Sequence, residues 1–100
     1  MSARQVVWTA RAQRSYVEIV RYIYERNPAT AIEVGRRLRE AANALGNHPT
    51  GRKGKVTGTH VKSVTNLPYI IVYRLNVRQE RIEILDLVHT RRDAIPGVTA

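Results

Sequence analysis

Apolar residues recur along this chain with two periods, and the place where one gives way to the other divides it in two. From Ala12 onward, Ala12, Tyr16, Ile19, Val20 and Ile23 return every three or four positions, while Arg14, Ser15, Glu18, Arg21 and Glu25 fill the opposite side. That spacing predicts an amphipathic helix capped by Thr9 and ending at Asn27, because Pro28 disfavours helical geometry at the residue before it. The same pair opens a second helix, with Asn27 as N-cap and Pro28 at the first helical position. Its apolar stripe is Ala31, Val34, Leu38, Ala41, Ala42 and Leu45, and Gly46 is its expected stop. Ahead of the helices, Arg4 to Trp8 is short and β-branched and reads as a strand.

After Gly46 the helical period disappears. Asn47 to Thr59 is rich in Gly and Lys without apolar periodicity and reads as a loop. His60–Val64, Tyr69–Leu75 and Arg81–His89 then read as strands joined by short turns at Asn66–Pro68 and Asn76–Glu80, an antiparallel meander. In the last strand, simple alternation puts Ile82, Ile84 and Val88 on one face and Leu85, Leu87 and His89 on the other. Both faces are partly apolar, as expected of a central strand. The helix hairpin can cover only one of them, so the other, with Arg74 and His89 nearby, is expected to line a groove. The expected architecture is α+β, a single domain over residues 1–100: an N-terminal strand, a two-helix hairpin and a three-stranded antiparallel meander, with the hairpin packed on a small antiparallel sheet.

Charge narrows the range of partners. Seventeen Lys and Arg against eight Asp and Glu give a formal net charge of +9 in 100 residues. Such a surface favours an anionic partner: nucleic acid, an enzyme that handles it, or an acidic protein. The chain has no Cys, so disulfide scaffolds and thiolate metal sites are excluded. No metal or cofactor is expected. The first fifteen residues carry Arg4, Arg11 and Arg14 without a secretory apolar run, and no segment reaches the roughly 20 apolar residues of a membrane span, so a cytoplasmic protein without membrane attachment is expected. The segment GRKGKVTG lacks the spacing and following helix of a phosphate-binding loop.

The segments LGNHPTGRKGKVTGTHVKSVTNLPYIIVYRLN and IEILDLVHTRRD, in this order after a strand and a helix hairpin, resemble the RelE/ParE superfamily of bacterial type II toxins over most of the chain. That resemblance implies a toxin held inactive by an acidic cognate antitoxin. The superfamily's RelE-like branch cuts messenger RNA in the ribosome; its ParE-like branch poisons DNA gyrase without a hydrolytic site.

RNA cleavage requires a proton acceptor, cationic donors on the phosphate and an acid for the leaving oxygen. His89, Arg74 and Arg92 could form such a set. Yet where the ribonuclease branch places cations this chain has Ile70, Val61 and Ser63, with only Lys62 between the last two and on the other side of the strand, and no Tyr follows Arg92. The set is incomplete, and the ending DLVHTRRD is closer to the ParE-like pattern. The reading is therefore a gyrase inhibitor, not an enzyme, with Arg74, His89, Arg91 and Arg92 as candidate target-binding residues. The alternatives are a ribosome-dependent endoribonuclease and a non-toxic nucleic-acid-binding module; direct nucleic-acid contact is compatible with all three. For each residue there is also a plain structural role: His89 as a hydrogen-bonded edge residue, Arg91 and Arg92 as a solvated strand exit.

Overall fold

A computed structural model describes residues 4–91. Its elements run β1 (Gln5–Trp8), α1 (Ala10–Tyr24), α2 (Pro28–Ala44), β2 (Arg52–Lys53), β3 (Thr59–Ser63), β4 (Tyr69–Asn76) and β5 (Arg81–His89). Both expected N-caps form: the Thr9 hydroxyl accepts from the Ala12 N–H at 3.1 Å, and Asn27 Oδ1 accepts from the Thr30 N–H at 3.1 Å, with Pro28 at the start of α2. Each satisfies an amide that the helix itself leaves without a partner.

All five strands share one mixed sheet in the order β1-β5-β4-β3-β2. The meander β3-β4-β5 is antiparallel as expected, but β1 joins it parallel to β5, Trp8 opposite Ile84, so the sheet is not purely antiparallel. Within the expected loop 47–59 a two-residue strand, β2, pairs with His60 and Val61. A two-residue strand is too short to leave a hydrophobic period.

The hairpin buries one face of the sheet. Ala12, Val34, Leu38 and Leu45 from the helical half meet Ile71, Tyr73, Ile82, Ile84 and Leu87 from the strands, flanked by Trp8, Tyr16, Ile19 and Ile23. A second cluster lies on the opposite face: Val61, Ile70, Val72 and Val88, with Leu85 against it.

This division corrects the expected facing of β5. Val72 pairs with Asp86 but Tyr73 pairs with Ile84, so Leu85 is an extra residue, a β-bulge that reverses the alternation after it. Ile82, Ile84, Leu87 and His89 therefore face the helices, while Leu85 and Val88 face away.

Gly46 also behaves differently from a left-handed helix stop. The α2 cap at Leu45 is right-handed, and Gly46 is not among the positive-φ glycines. Its carbonyl accepts from the Arg4 N–H at 2.8 Å, and a Cβ there would stand 2.5 Å from the Arg4 carbonyl oxygen. Glycine is required because two backbones meet, bringing the end of α2 to the start of β1. Gly46→Ala is expected to lower unfolding stability by about 1–3 kcal/mol, the usual cost of overpacking, measured as a lower urea midpoint at unchanged m.

Candidate functional site

The end of β5 is set by the bulge and by what holds it. The Thr9 N–H donates to the Ile84 carbonyl at 3.1 Å, and the Thr9 hydroxyl lies 2.9 Å from the same oxygen and 3.2 Å from that of Leu85. Asp86 completes the anchor. Its Oδ1 accepts from the Ser15 hydroxyl at 2.5 Å and from the Leu87 N–H at 2.8 Å, and its Oδ2 pairs with Arg11 Nε at 3.2 Å. The Ile84 and Leu85 carbonyls thus find their partner in the cap residue of α1 and the Leu87 N–H in the Asp86 carboxylate, which is itself held by Ser15 and Arg11 in the first turns of that helix.

Beyond this anchor, His89 turns toward the helix side. Its ring stands edge-on to Tyr69, centroids 5.3 Å apart, and Nδ1 accepts from the Arg91 N–H at 3.0 Å, which leaves Nε2 as the donor of a neutral imidazole. The ring borders a cleft of about 400 Å³ with Ser15, Glu18, Ile19, Tyr22 and Leu87. Arg91 is exposed beside it. Arg92 lies outside the described residues.

Arg74 does not join this group. On β4 it pairs with Glu83, whereas His89 pairs with Tyr69 five positions away, roughly 17 Å along the strand. The two side chains also lie on opposite faces. The four candidate residues therefore do not form one patch: His89 and Arg91 are together, and Arg74 belongs to a separate cluster.

That cluster centres on Glu83, a charged residue that is only 7% exposed. Arg74 donates to Oε1 through Nε at 2.8 Å and also through Nη2. Arg81 donates to Oε2 through Nε and Nη2, both at 3.1 Å, and Asn76 Nδ2 lies 3.4 Å from the same oxygen. The Arg74 hydrogen bond is the main cause of a Glu83 carboxyl held below its ordinary pKa; Arg81 and Asn76 add to it, and burial works against them. Neither Arg81 nor Glu83 was marked by the sequence reading. The available signal was weak: an Arg-x-Glu pair on one strand face, just after the turn that brings Arg74 opposite.

Val61, Ser63 and Ile70 share the face away from the helices, Val61 opposite Val72 and Ser63 opposite Ile70. Where phosphate cleavage would need cations there is a buried apolar cluster. Lys62, opposite Ile71, lies on the helix side, as its place in the strand implied. No group of three or more His, Cys, Asp or Glu that could hold a metal occurs among the described residues, nor is any described helix long and apolar enough to cross a membrane.

Comparison with known proteins places this geometry. The family model described as "ParE toxin of type II toxin-antitoxin system, parDE" matches residues 6–94. A Sinorhizobium fredii protein, Y4kP, whose name marks it as a candidate toxin, is 36% identical over 93 residues, which are 92% of this chain and 94% of that protein. Among solved structures, the chromosomal ParDE toxin-antitoxin system from P. aeruginosa is similar with a TM-score of 0.81 at 18% identity, covering 89% of this chain and 98% of that one. The RelBE2 toxin-antitoxin complex from Mycobacterium tuberculosis is similar with a TM-score of 0.56 at 18% identity, over 88% and 99% of the two chains. At such identities these structures establish the shared fold.

The Glu83 cluster has a consequence for acid stability. A carboxyl whose pKa is depressed by folding contributes stability that is present above its unfolded value, about 4.3, and is lost as pH falls through the lower folded value. The stability difference between the native chain and Glu83→Gln is therefore expected to be constant from about pH 7 to 5 and to shrink below about pH 4, as followed by urea unfolding at each pH.

Proposed function

This chain belongs to the ParE toxin family of type II toxin-antitoxin systems, and from that premise we propose that it arrests growth by binding DNA gyrase so that the enzyme's DNA break is not resealed. The observation that carries the choice of target is the apolar character of the positions where the ribonuclease branch would hold its phosphate. Val61 and Ile70 stand there beside Val72 and Val88, so no cation occupies those positions, and the cations of this face lie apart from them toward the β4-β5 turn. One missing preorganised donor typically costs on the order of a hundredfold in rate; with several missing, little cleavage is left. In this reading His89 and Arg91 at the end of β5, together with Arg92, which follows them in the sequence, contact the target, with the imidazole donating through Nε2 and the arginines supplying charge. Arg74 acts from its separate place on the sheet.

A cognate antitoxin neutralises the toxin with an acidic, amphipathic segment laid over the helix hairpin. The outer side of the hairpin supports this: Val17 is 49% and Ile32 68% exposed, and a groove lined by Val20, Ala31 and Ile32 is bordered by Arg39, while Arg36 beside it is held by Glu33 and Glu40. Exposed apolar surface is the main attraction there, with Arg39 as a cation at its rim. Among the described residues the short strands β1 and β2 form the two edges of the sheet, where a partner strand can add. Co-expression with the neighbouring reading frame, followed by pull-down at moderate salt, is expected to recover a complex; its absence would count against this arrangement.

Purified toxin mixed with gyrase and supercoiled plasmid is expected to accumulate cleaved DNA while leaving ribosome-bound messenger RNA intact. Replacing Arg91 and Arg92 together with Ala is expected to relieve growth arrest. The thermal midpoint should stay within a few degrees, since exposed charges contribute at most about 1 kcal/mol. Transcripts cut in the ribosome, with cutting stopped by His89→Gln, would assign the chain to ribonuclease chemistry instead.

A further inference from the structure

We propose that the Arg74–Glu83–Arg81 cluster is a preassembled binding site for the phosphate backbone of nucleic acid, separate from the His89 end of the sheet and independent of which enzyme the toxin inhibits. Glu83 sits between two guanidiniums, one across the ladder on β4 and one two residues back on its own strand. Each arginine points Nε and Nη2 at the carboxylate. A guanidinium has five N–H donors, and among the described residues neither Nη1 group has a partner, so both can meet a ligand. Two positive charges against one negative leave the cluster cationic, and the Arg74 side chain is 53% exposed.

The cluster is held in place from the turn behind it. Asn76 Oδ1 accepts from the Gln79 N–H at 3.1 Å and its Nδ2 donates to Gln79 Oε1 at 3.1 Å, which orients the amide toward Glu83. Glu80, in the same turn, holds a left-handed φ of 50°. Its carboxylate pairs with neither arginine. Ordering long side chains in advance removes an entropic cost that a ligand would otherwise meet, and the planar fork of arginine suits phosphate better than a lysine does.

Two observations favour nucleic acid over an acidic protein. Arg52 on β2, opposite Val61, stands on the same face as Arg74 and Arg81, so the cations lie across three strand spacings, roughly 14 Å. Over that length duplex DNA carries about eight phosphate charges. A protein partner, by contrast, needs apolar surface to bury at the centre of its interface. The large hydrophobics of this face, Val61, Ile70, Val72 and Val88, are already buried, and among the described residues the exposed ones nearby are single turn residues, Val56 and Val77, at either side of the cluster.

The test is fluorescence anisotropy of a short labelled DNA duplex of arbitrary sequence, titrated with the purified full-length chain between about 50 and 200 mM salt. Arg74→Ala with Arg81→Ala is expected to weaken binding on the order of tenfold and to flatten the dependence of log K on log salt by about 1.8, two phosphate contacts' worth. Arg14→Ala with Arg21→Ala, which removes the same charge from α1, is expected to have a much smaller effect. Glu83→Gln separates a built site from a diffuse field. It raises the net charge by one, so a diffuse field binds more tightly, whereas a preassembled site binds more weakly because its arginines lose their anchor. Arg74→Lys, which keeps the charge and loses the fork, repeats this comparison without opening a buried position, and circular dichroism checks folding throughout. Equal losses in the two double variants, tighter binding by Glu83→Gln or unchanged binding by Arg74→Lys would overturn the proposal. Displacement of the duplex by poly-glutamate at equal charge concentration would also overturn it, in favour of an acidic protein.

Discussion

One extra residue in β5, Leu85, governs which face of the sheet the end of the last strand presents. A β-bulge reverses the alternation of a strand and leaves backbone groups out of register with their partners. It persists only where something else bonds them. Here Thr9 does so while also capping α1, so the beginning of the first helix and the kink of the last strand are held by the same residue. Asp86 adds Ser15 and Arg11 to the joint. Without the bulge Leu87 would leave the core and His89 would turn away from the helices.

Because of that reversal, the two faces of the sheet carry different chemistry at opposite ends. The helix side ends in the cleft beside His89, with an aromatic wall and a carboxylate at Glu18. On the other side, the valine and isoleucine cluster gives way toward the β4-β5 turn to a carboxylate between two guanidiniums. A chain this small thus carries two chemically distinct surfaces, one at each end of the sheet.

Much of this was legible in the sequence because it rests on local rules. Thr9 and Asn27-Pro28 announce their helices through capping chemistry, and the three- and four-residue spacing from Ala12 to Ile23 names the buried side of α1. The meander was legible too, since its strands are long enough to show β-branched runs between turn residues. Leu85 was not: strict alternation carries no mark for an inserted residue, and the bonds that stabilise it come from Thr9, 76 positions away. For the same reason the parallel pairing of β1 with β5 escaped, as did the wide separation of Arg74 from His89. The role of Gly46 lies in the approach of the Arg4 backbone, a tertiary contact that helix-stop rules do not contain.

The pairing of β1 with β5 joins the first strand made to the last. Strand contacts between the ends of a chain are slow to form because a long loop must close before they reward it. At synthesis rates of about 5–20 residues per second, β1 spends seconds outside the ribosome with no neighbour to pair with. Neither the bulge, nor the Glu83 cluster, nor the cleft at His89 exists until Arg81–His89 has been translated. Each of these surfaces is therefore completed only at the end of synthesis, when the last strand closes the sheet over the first.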